Sequence, residues 1–517
     1  MIKRLLHVTI SVLLVINQTA AQQIDFVHEF NAAGDGNPKP LFQHAGKLYL
    51  TAENASGNAL YTLDASTSAV ECISCPYHTE FYYGGHGILN NKVFLNITTG
   101  ANKSKLFSTD GTSAGTQVVK DIYPGKYCAA ADFVNYNGLL YFSATDSAYG
   151  NELWVTDGTE AGTYMFWDFE AGTIGGYPRD LFIWNNKIYF CVNRGVKTDL
   201  YCTDATIPGM QVINTHFGQS SYIDGVDSIS SLLVYSMNDS IFTINPANNQ
   251  VSQLATRKYY SMSSFTHYKN KLYFSSSLNP EGNEVCVTDG TSSGTSIFFD
   301  SDESVSISSA QPFVFNNLLF FSASHNNKGF EPWVTDGNPS NTAMFKDLCV
   351  TDPAFSSRPG QYTAYNGKFY FGAKDCVTNT SQLFQSDGTV LGTTVVYNPQ
   401  TSVADNLAYN FFEFNGSLYF AGKYDVKGTE LYKLSTPTGI TESESEVALS
   451  IYPNPATNFL NISTPAKGGE IRVLNFAGRE MLRISVSESK TVLPLYELES
   501  GIYLVGYNGH YAKFIKQ

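Results

Sequence analysis

The stretch NELWVTDGTEAGT, residues 151–163, contains a run of aromatic and β-branched residues, a Thr-Asp-Gly-Thr turn and the start of a second strand. Near-copies begin at four other positions: LFSTDGTSAGT at Leu106, EVCVTDGTSSGT at Glu284, EPWVTDGNPSNT at Glu331 and QLFQSDGTVLGT at Gln382. A catalytic motif is normally needed once, whereas a phrase repeated along a chain builds a repeated architecture. The sequence therefore predicts a repeat protein.

A second phrase precedes each Asp-Gly phrase. Its copies are AGKLYL at Ala45, NNKVFL at Asn90, NGLLYF at Asn137, NNKIYF at Asn185, SSLLVYS at Ser230, NKLYF at Asn270, NNLLFF at Asn316, NGKFYF at Asn366 and NGSLYF at Asn415. The copies are spaced about 39–50 residues apart, which is the range of four-stranded propeller blades.

The clearest unit shows how four strands fit one repeat. ADFVNY is the first strand, Asn137-Gly138 a turn that tolerates positive φ, LLYFSA the second strand, ELWVT the third and GTYMFWDF the fourth. We predict an all-β fold: a β-propeller of about eight or nine four-stranded blades over residues 22–435, followed by a small Ig-like β-sandwich. The worn copy at Ser230 leaves eight and nine blades both open.

The repeated aspartates are predicted to make turns. Each carboxylate can accept backbone N–H bonds two or three residues on, and the following Gly can take the left-handed conformation. The residues are Asp110, Asp157, Asp289, Asp336 and Asp387. The alternative is that these groups, or Glu152, Glu284, Glu331 and Glu430, form cation sites. Calcium loops concentrate several oxygen ligands, whereas each turn here offers one, so we predict no metal and no cofactor.

Composition and the N-terminal segment bound the environment. The chain of 517 residues carries a net charge of −14, which repels phosphate backbones, so nucleic acid is not expected as a partner. MIKRLLHVTISVLLVINQTAA reads as a signal peptide covering residues 1–21. Later segments lack a long apolar run, so no transmembrane segment is expected in the mature protein.

The eight cysteines favour an oxidising compartment. Three pairings are candidate disulfides: Cys72 with Cys75, Cys191 with Cys202 across one predicted hairpin, and Cys349 with Cys376 on one face of a blade. One of Cys72 and Cys75 could instead pair with Cys128. Cys286 stands where other repeats carry an aromatic residue and is expected to be a buried free thiol.

The repeat resembles the bacterial family named for its ELW…DGT motif. The best matches are Glu152-Leu153-Trp154 with Asp157-Gly158-Thr159, and Glu331-Pro332-Trp333 with Asp336-Gly337. The resemblance covers most of residues 40–435. It implies an exported bacterial protein and a propeller-like fold, and no defined activity.

The tail resembles a second family. After a polar linker at 436–446, residues 447–517 show the alternation of a small β-sandwich. This region resembles the type A C-terminal sorting domain of the type IX secretion system. The matching residues include Pro453, Asn454, Pro455, Gly478, Gly501 and Tyr503. The resemblance implies the type IX secretion machinery as partner. It also implies a place outside a Gram-negative cell, either released or attached to the outer surface.

The search for chemistry finds weak signals only. Two G-x-S-x-G matches, at Gly111 and Gly290, fall inside the repeat turn, where other copies replace the serine, so no catalytic residue is predicted. Two irregular loops are candidate interaction sites: PYHTEFYYGGHG, with His78 and His86, and TDSAYG at 145–150.

Three functions remain open from the sequence. The favoured one is an exported binding or adhesion module that engages a glycan, a peptide or an envelope protein through loops at one face of the propeller. The alternative is a carbohydrate-active lyase or glycoside hydrolase with paired carboxylates near the channel. The third is a purely structural surface component.

Overall fold

The computed structural model describes most of the chain. The described ranges are 23–75, 85–195, 197–217, 223–237, 240–255, 265–278, 282–300, 312–325, 328–349, 356–376, 380–396, 408–424, 427–435, 449–464, 469–475, 480–507 and 510–517. The predicted signal peptide and linker lie outside these residues. The described part holds 43 β-strands, one short 3-10 helix at Pro339–Asn341, and no α-helix.

The first strand and the first four sheets occupy residues 23–217. The strands are β1 (Gln23–His28); β2 (Lys39–His44), β3 (Lys47–Asn54), β4 (Gly57–Asp64), β5 (Val70–Cys72); β6 (Gly87–Leu89), β7 (Lys92–Gly100), β8 (Lys103–Thr109), β9 (Gln117–Lys120); β10 (Ala131–Tyr136), β11 (Leu139–Asp146), β12 (Gly150–Thr156), β13 (Tyr164–Trp167); β14 (Arg179–Trp184), β15 (Lys187–Arg194), β16 (Lys197–Thr203) and β17 (Gln211–Phe217).

The remaining sheets of the ring occupy residues 223–435. The strands are β18 (Ile223–Ile229), β19 (Leu232–Met237), β20 (Ser240–Asn245), β21 (Gln250–Gln253); β22 (Thr266–Tyr268), β23 (Lys271–Leu278), β24 (Gly282–Thr288), β25 (Ser296–Phe299); β26 (Phe313–Phe315), β27 (Leu318–His325), β28 (Lys328–Thr335), β29 (Ala343–Met344); β30 (Gly360–Tyr365), β31 (Lys368–Asp375), β32 (Thr380–Ser386), β33 (Thr394–Val395); β34 (Ala408–Phe414), β35 (Ser417–Gly422) and β36 (Glu430–Ser435).

These strands form nine four-stranded antiparallel sheets, the blades of a β-propeller. Blades 1 to 8 are meanders of four consecutive strands, from β2–β5 to β30–β33. Blade 9 takes β34, β35 and β36 from the end of the ring and β1 from its beginning, with Gln23 opposite Ser435. The structure thus resolves the blade number as nine within the described residues.

Hydrogen bonds between neighbouring blades close the ring. A tyrosine at the end of a first strand repeatedly donates to a carbonyl in the first turn of the next blade. Tyr136 donates to Asn186 at 2.7 Å, Tyr268 to Asn317 at 2.8 Å and Tyr365 to Gly416 at 2.7 Å. The seam between blades 9 and 1 is bonded too, since the Asn410 amide donates to the Pro38 carbonyl at 3.2 Å and the Asn415 amide to the Ala65 carbonyl at 3.1 Å.

Alternation along the buried strands explains the blade packing. In β12, Trp154 joins the cluster with Leu89 and Phe94 of blade 2. Leu153 and Val155 point the other way, into the cluster shared with blade 4. Successive strand residues face opposite sides, so one ELW phrase supplies the core on both sides of its sheet.

The meander gives the ring two different faces. Connections from first to second strand and from third to fourth strand lie at one end of each blade, which we name the turn face. Connections from second to third strand and from the fourth strand to the next blade lie at the other end, which we name the loop face. All five predicted aspartate turns join third to fourth strands and therefore lie on the turn face.

The tail forms two further sheets. Its strands are β37 (Ser450–Tyr452), β38 (Phe459–Ser463), β39 (Gly469–Asn475), β40 (Glu480–Val486), β41 (Lys490–Pro494), β42 (Gly501–Tyr507) and β43 (His510–Lys516). A three-stranded sheet, β37-β38-β41, and a four-stranded sheet, β40-β39-β42-β43, share one core with Leu460, Leu493, Val473, Val505 and Phe514. This is the small β-sandwich that the alternation predicts.

Candidate functional site

The aspartate turns are closed hydrogen-bonded units. Asp157 Oδ1 accepts from the Thr159 backbone N–H at 2.8 Å and from its hydroxyl at 2.8 Å. The Thr156 hydroxyl accepts from the Gly158 N–H and also bonds to the Thr163 hydroxyl. The bonds from Thr159 hold the pKa of Asp157 below its usual value. The two bonds to the aspartate recur at Asp110, Asp289 and Asp387, and at Asp204 of the fourth copy.

The second glycine of each phrase has a steric reason. A Cβ added to Gly162 would lie 2.0 Å from Asp157 Oδ1, and the corresponding contacts at Gly115, Gly294 and Gly392 are 2.1, 2.0 and 2.1 Å. Blade 7 has no glycine here. Asn341 occupies this position, and its side-chain amide donates to Asp336 at 2.9 Å. The bonds and the glycines support the turn-making interpretation of these aspartates.

The two G-x-S-x-G matches are parts of these turns. The Ser113 N–H donates to Glu71 at 2.6 Å, and the Ser292 hydroxyl contacts the Gln253 carbonyl. Ser292 borders a cleft of about 280 Å³ between blades 5 and 6. The described residues that line this cleft include no acid and no histidine, so they offer the serine no general base.

The glutamates of the ELW position lie on the loop face, where they accept hydrogen bonds from the connectors between blades. Glu152 is fully buried. Its carboxylate accepts N–H bonds from Phe169 at 3.0 Å, Glu170 at 3.3 Å and Gly176 at 2.9 Å. Burial raises its pKa to about 7, against the lowering effect of these bonds. Glu152 therefore fixes the connector between blades 3 and 4, which we name the Glu152 connector (residues 168–178).

Other blades use the same device. Glu331 accepts from the Leu348 and Ser357 N–H groups, both at 2.9 Å, across the connector after blade 7. Glu430 accepts from the Phe30 N–H at 2.8 Å and so ties the connector that follows β1 to blade 9. Burial raises the pKa of Glu331 and takes that of Glu430 to about 7. Glu284 of blade 6 is also fully buried.

The Glu152 connector forms one wall of a cleft of about 410 Å³, which we name the Tyr177 cleft. Its lining residues are Glu170, Ile174, Gly175, Tyr177, Asn193, Arg194 and Gly195. The volume falls within the usual range for small-ligand sites. Two large apolar side chains stand open to solvent here, Ile174 at 70% exposure and Tyr177 at 49%. Both line the same cleft, so they add apolar surface among its polar side chains.

Close backbone contacts hold the cleft in shape. Gly150 and Gly175 lie so near each other that a Cβ on Gly150 would be 2.7 Å from the Gly175 nitrogen. The Tyr177 N–H donates to the Asn151 carbonyl at 3.0 Å, and the Asn193 N–H donates to the Gly176 carbonyl at 2.7 Å. The loop at 145–150, predicted as an interaction loop, thus supports the connector from behind, and its Tyr149 is 42% exposed.

Two carboxylates near the channel bear on the enzymatic alternative. Asp132 and Asp180 lie on β10 and β14, the first strands of neighbouring blades, with φ of 56° and 55°. Burial raises the pKa of Asp132 to about 6 and also raises that of Asp180. Each accepts a backbone N–H of the next blade, Asp132 from Asp180 and Asp180 from Ile223. They are neighbours, not a pair facing each other across the channel.

The cysteines follow the predictions in part. Cys72 is bridged to Cys75, and Cys349 to Cys376. Cys128 and Cys286 are buried thiols. The predicted Cys191–Cys202 bridge is wrong, because both residues are buried free thiols. Cys191 pairs with Leu200, and Cys202 pairs with Tyr189. Such diagonal neighbours have Cα atoms about 7–8 Å apart, beyond the reach of a disulfide.

The tail motif converges on the last strand. Asn454 accepts from the Ile515 N–H at 2.9 Å and donates to the Lys513 carbonyl at 2.9 Å, between Pro453 and Pro455. Tyr503, two residues after Gly501, donates its hydroxyl to the Glu499 carbonyl at 2.9 Å. Gly478 lies outside the described residues. The sorting-motif residues that are described thus lie close to the C-terminal strand.

The remaining candidates from the sequence are the His78 loop, a metal site and a membrane-spanning segment. Most of the His78 loop lies outside the described residues, but His86 stacks on Phe42 with ring centroids 3.5 Å apart, and burial lowers its pKa to about 4. Within the described ranges, no three His, Cys, Asp or Glu side chains are grouped as metal ligands. The same residues contain no helix long and apolar enough to cross a membrane.

Comparison with known families identifies the tail. Residues 450–517 match the family described as the secretion system C-terminal sorting domain, here that of the type IX system. Such a domain marks proteins for export, so the chain is carried to the cell surface or the extracellular space. The search of curated proteins finds no match.

Solved structures show distant similarity. A puromycin hydrolase is 13% identical with a TM-score of 0.36 and 66% of this chain covered; the chain spans only 59% of that protein's length. A puromycin-hydrolyzing peptidase of Mycobacterium tuberculosis is 8% identical with a TM-score of 0.39, covering 69% of this chain and 62% of its own. PorZ, a surface component of the type IX secretion system of Porphyromonas gingivalis, is 11% identical with a TM-score of 0.30, covering 96% and 100%. Similarity of this degree says nothing of activity.

Sequence reasoning missed the cleft. Glu170, Tyr177, Asn193 and Arg194 belong to no repeated phrase and carry no motif. The available signal was the irregular run EAGTIGGYP at 170–178, which interrupts the repeat with three glycines and one exposed aromatic.

Proposed function

We propose that this chain is an exported binding protein whose Tyr177 cleft holds the ligand. The observation that carries the proposal is the cleft itself. It lies on the loop face, has the volume of a small-ligand site and exposes a tyrosine and an isoleucine among polar side chains. The propeller supplies rigidity, and Glu152 supplies the local order of the connector.

The position of the cleft supports this assignment. Binding residues are commonly placed on loops held by a rigid scaffold. The connector backbone is anchored by three bonds to one buried carboxylate, so little backbone freedom remains to be lost on binding.

The test is binding of the secreted full-length protein to an array of glycans and peptides. Tyr177→Ala is expected to lose the signal. Tyr164→Ala is the matched control, because Tyr164 is 53% exposed on the outer strand of the same blade, away from the cleft. Retention of every signal by the Tyr177 variant would exclude the cleft as the site.

We further propose that the type IX secretion machinery recognises residues 450–517 of this chain directly. Support comes from the family match and from Asn454, which ties the Pro-Asn-Pro segment to the last strand. Deleting residues 450–517 is expected to abolish surface appearance, measured by labelling of intact cells. Undiminished labelling with folded protein at the surface would refute this role.

A further inference from the structure

We infer that the ligand of the Tyr177 cleft is an uncharged glycan. This inference rests on the proposed function and adds the chemical class of the ligand. It draws on three features of the cleft: an exposed ring on a fixed backbone, a local balance of charge, and backbone groups that already have partners.

The exposed ring suits a sugar. Tyr177 has a φ of 47° and its N–H is bonded to Asn151, so the backbone that carries the ring is fixed. The C–H face of a pyranose is apolar and weakly positive, and it packs on the negative face of an aromatic ring. Ile174, exposed beside it, extends the apolar surface. A half-exposed aromatic ring with polar neighbours offers both contacts that a sugar needs.

The polar groups match hydroxyls. The Asn193 amide can both donate and accept, the Glu170 carboxylate accepts, and the Arg194 guanidinium donates. Sugar hydroxyls likewise donate and accept from one atom. A mixed set of donors and acceptors around an apolar ring therefore recognises a polyhydroxylated ligand better than a purely apolar one.

The charges of the cleft leave no free cation for an anionic ligand. Arg194 forms an ion pair with Asp199, which is fully buried. Glu170 adds a second negative charge that acts on the same guanidinium. An acidic ligand would meet a guanidinium already paired with a buried carboxylate, together with the like charge of Glu170, and like charges across an interface are unfavourable. The balance favours a neutral ligand.

The backbone of the cleft offers little to an extended peptide. Peptides that add a strand need unpaired N–H and C=O groups at a sheet edge. Here the Tyr177 and Asn193 N–H groups are already bonded to Asn151 and Gly176 carbonyls. β15, which contributes Asn193 and Arg194, is paired on both sides, with β14 and β16. These two backbone donors and the paired edges of β15 are therefore not open to an added peptide strand.

The experiment is calorimetric titration of the full-length secreted protein with three probe sets. These are neutral hexasaccharides of glucose, mannose and N-acetylglucosamine, an anionic hexagalacturonate, and a mixture of extended peptides. We expect a neutral hexasaccharide to bind and Tyr177→Ala to weaken it at least about tenfold. Tyr177→Phe should keep most of the affinity, since the ring remains, and Tyr164→Ala should keep all of it.

The outcomes separate the inference from the proposed function. Binding of hexagalacturonate or peptide, lost in Tyr177→Ala, would overturn the neutral-glycan inference while the cleft stayed the binding site. Failure of all three neutral probes to bind at about 5 mM would overturn the inference as well. Binding that Tyr177→Ala leaves unchanged would overturn both. Circular dichroism on each variant confirms that the β-fold is intact.

Discussion

The turn face and the loop face are made by the same nine sheets but are built on different chemistry. On the turn face, one hydrogen-bonded unit with an exposed aspartate recurs with the same partners in blades 2, 3, 6 and 8. On the loop face, the connectors differ in length and sequence, and buried glutamates hold several of them. The turn face thus keeps the same geometry in each of these blades. The connectors of the loop face differ from one another, and buried glutamates hold several of them in place.

The carboxylates of the two faces respond oppositely to their surroundings. Hydrogen bonds lower the pKa of Asp157, and burial raises that of Glu152 to about 7. Between pH 4.5 and 7 the aspartate stays ionised, whereas the glutamate changes its charge. A change of pH through the pKa of Glu152 therefore alters the charge of this glutamate on the loop face and leaves Asp157 on the turn face ionised.

The largest expected effect is the pH dependence of stability. With a pKa raised from 4.5 to about 7, folded Glu152 binds more protons than the unfolded chain in this window. The stabilising contribution of this group is therefore fully present below about pH 4.5 and is lost as pH rises to about 7, a change of about 3 kcal/mol. The free energy of unfolding of Glu152→Gln, measured in urea, should fall less steeply with rising pH than that of the wild type. Asp157→Asn should keep the wild-type dependence of this free energy on pH. The same pH dependence in all three proteins would contradict the contrast drawn between the two faces.

A steric change on the turn face comes next. Gly162→Ala places a Cβ 2.0 Å from Asp157 Oδ1, so the turn must open, and we expect a loss of about 2 kcal/mol. Gly360→Ala is the matched control at the loop-face end of β30, since no atom lies within 4 Å of its added Cβ. Denaturant midpoints should separate the two variants. Equal midpoints would mean that the turn yields freely.

Removing the aspartate itself should cost less. Asp157→Ala deletes the two bonds to Thr159 on an exposed turn, and we expect a loss of about 1 kcal/mol with ligand binding unchanged. Asp157→Asn retains an oxygen acceptor and should lose less. If Asp157→Ala were fully stable but no longer bound the ligand, the turn would have to be counted as part of the binding site.

The smallest effect is expected on the loop face. Ile174 is 70% exposed, so Ile174→Ser should change the free energy of unfolding by less than about 0.5 kcal/mol. Thermal unfolding of the variant is the measurement. A clear drop in melting temperature would show that the Ile174 side chain stabilises the connector by packing against it.

The repeated part of the fold could be predicted from the sequence, and the reason is local. Period-2 burial, Asn-Gly turns and Asp-Gly turns each depend on neighbours within one repeat, so ADFVNY, LLYFSA and ELWVT are found where β10, β11 and β12 lie. Blade 9 depends on β1, which pairs with β36 from the far end of the ring, and no local pattern records that pairing.

The candidate site could not be predicted, because it depends on three-dimensional proximity. Tyr177 and Asn193 come from the connector of one blade and the second strand of the next, and neither resembles a motif. The cysteines show the same limit. Hairpin membership placed Cys191 near Cys202, but only the register of β15 with β16 shows that they are diagonal and cannot bridge.

The pairing of β1 with β36 sets how the ring responds to force. Ser435 donates to Asp25 across 410 residues of chain, and Gln23 faces Ser435 where both strands leave the blade. Because Gln23 and Ser435 lie at the same end of the antiparallel pair, pulling the two ends of the ring apart would break its hydrogen bonds one after another. Blades 1 to 8 pair strands that are neighbours in sequence, whereas the pairing of β1 with β36 can form only after residue 435 has been synthesised.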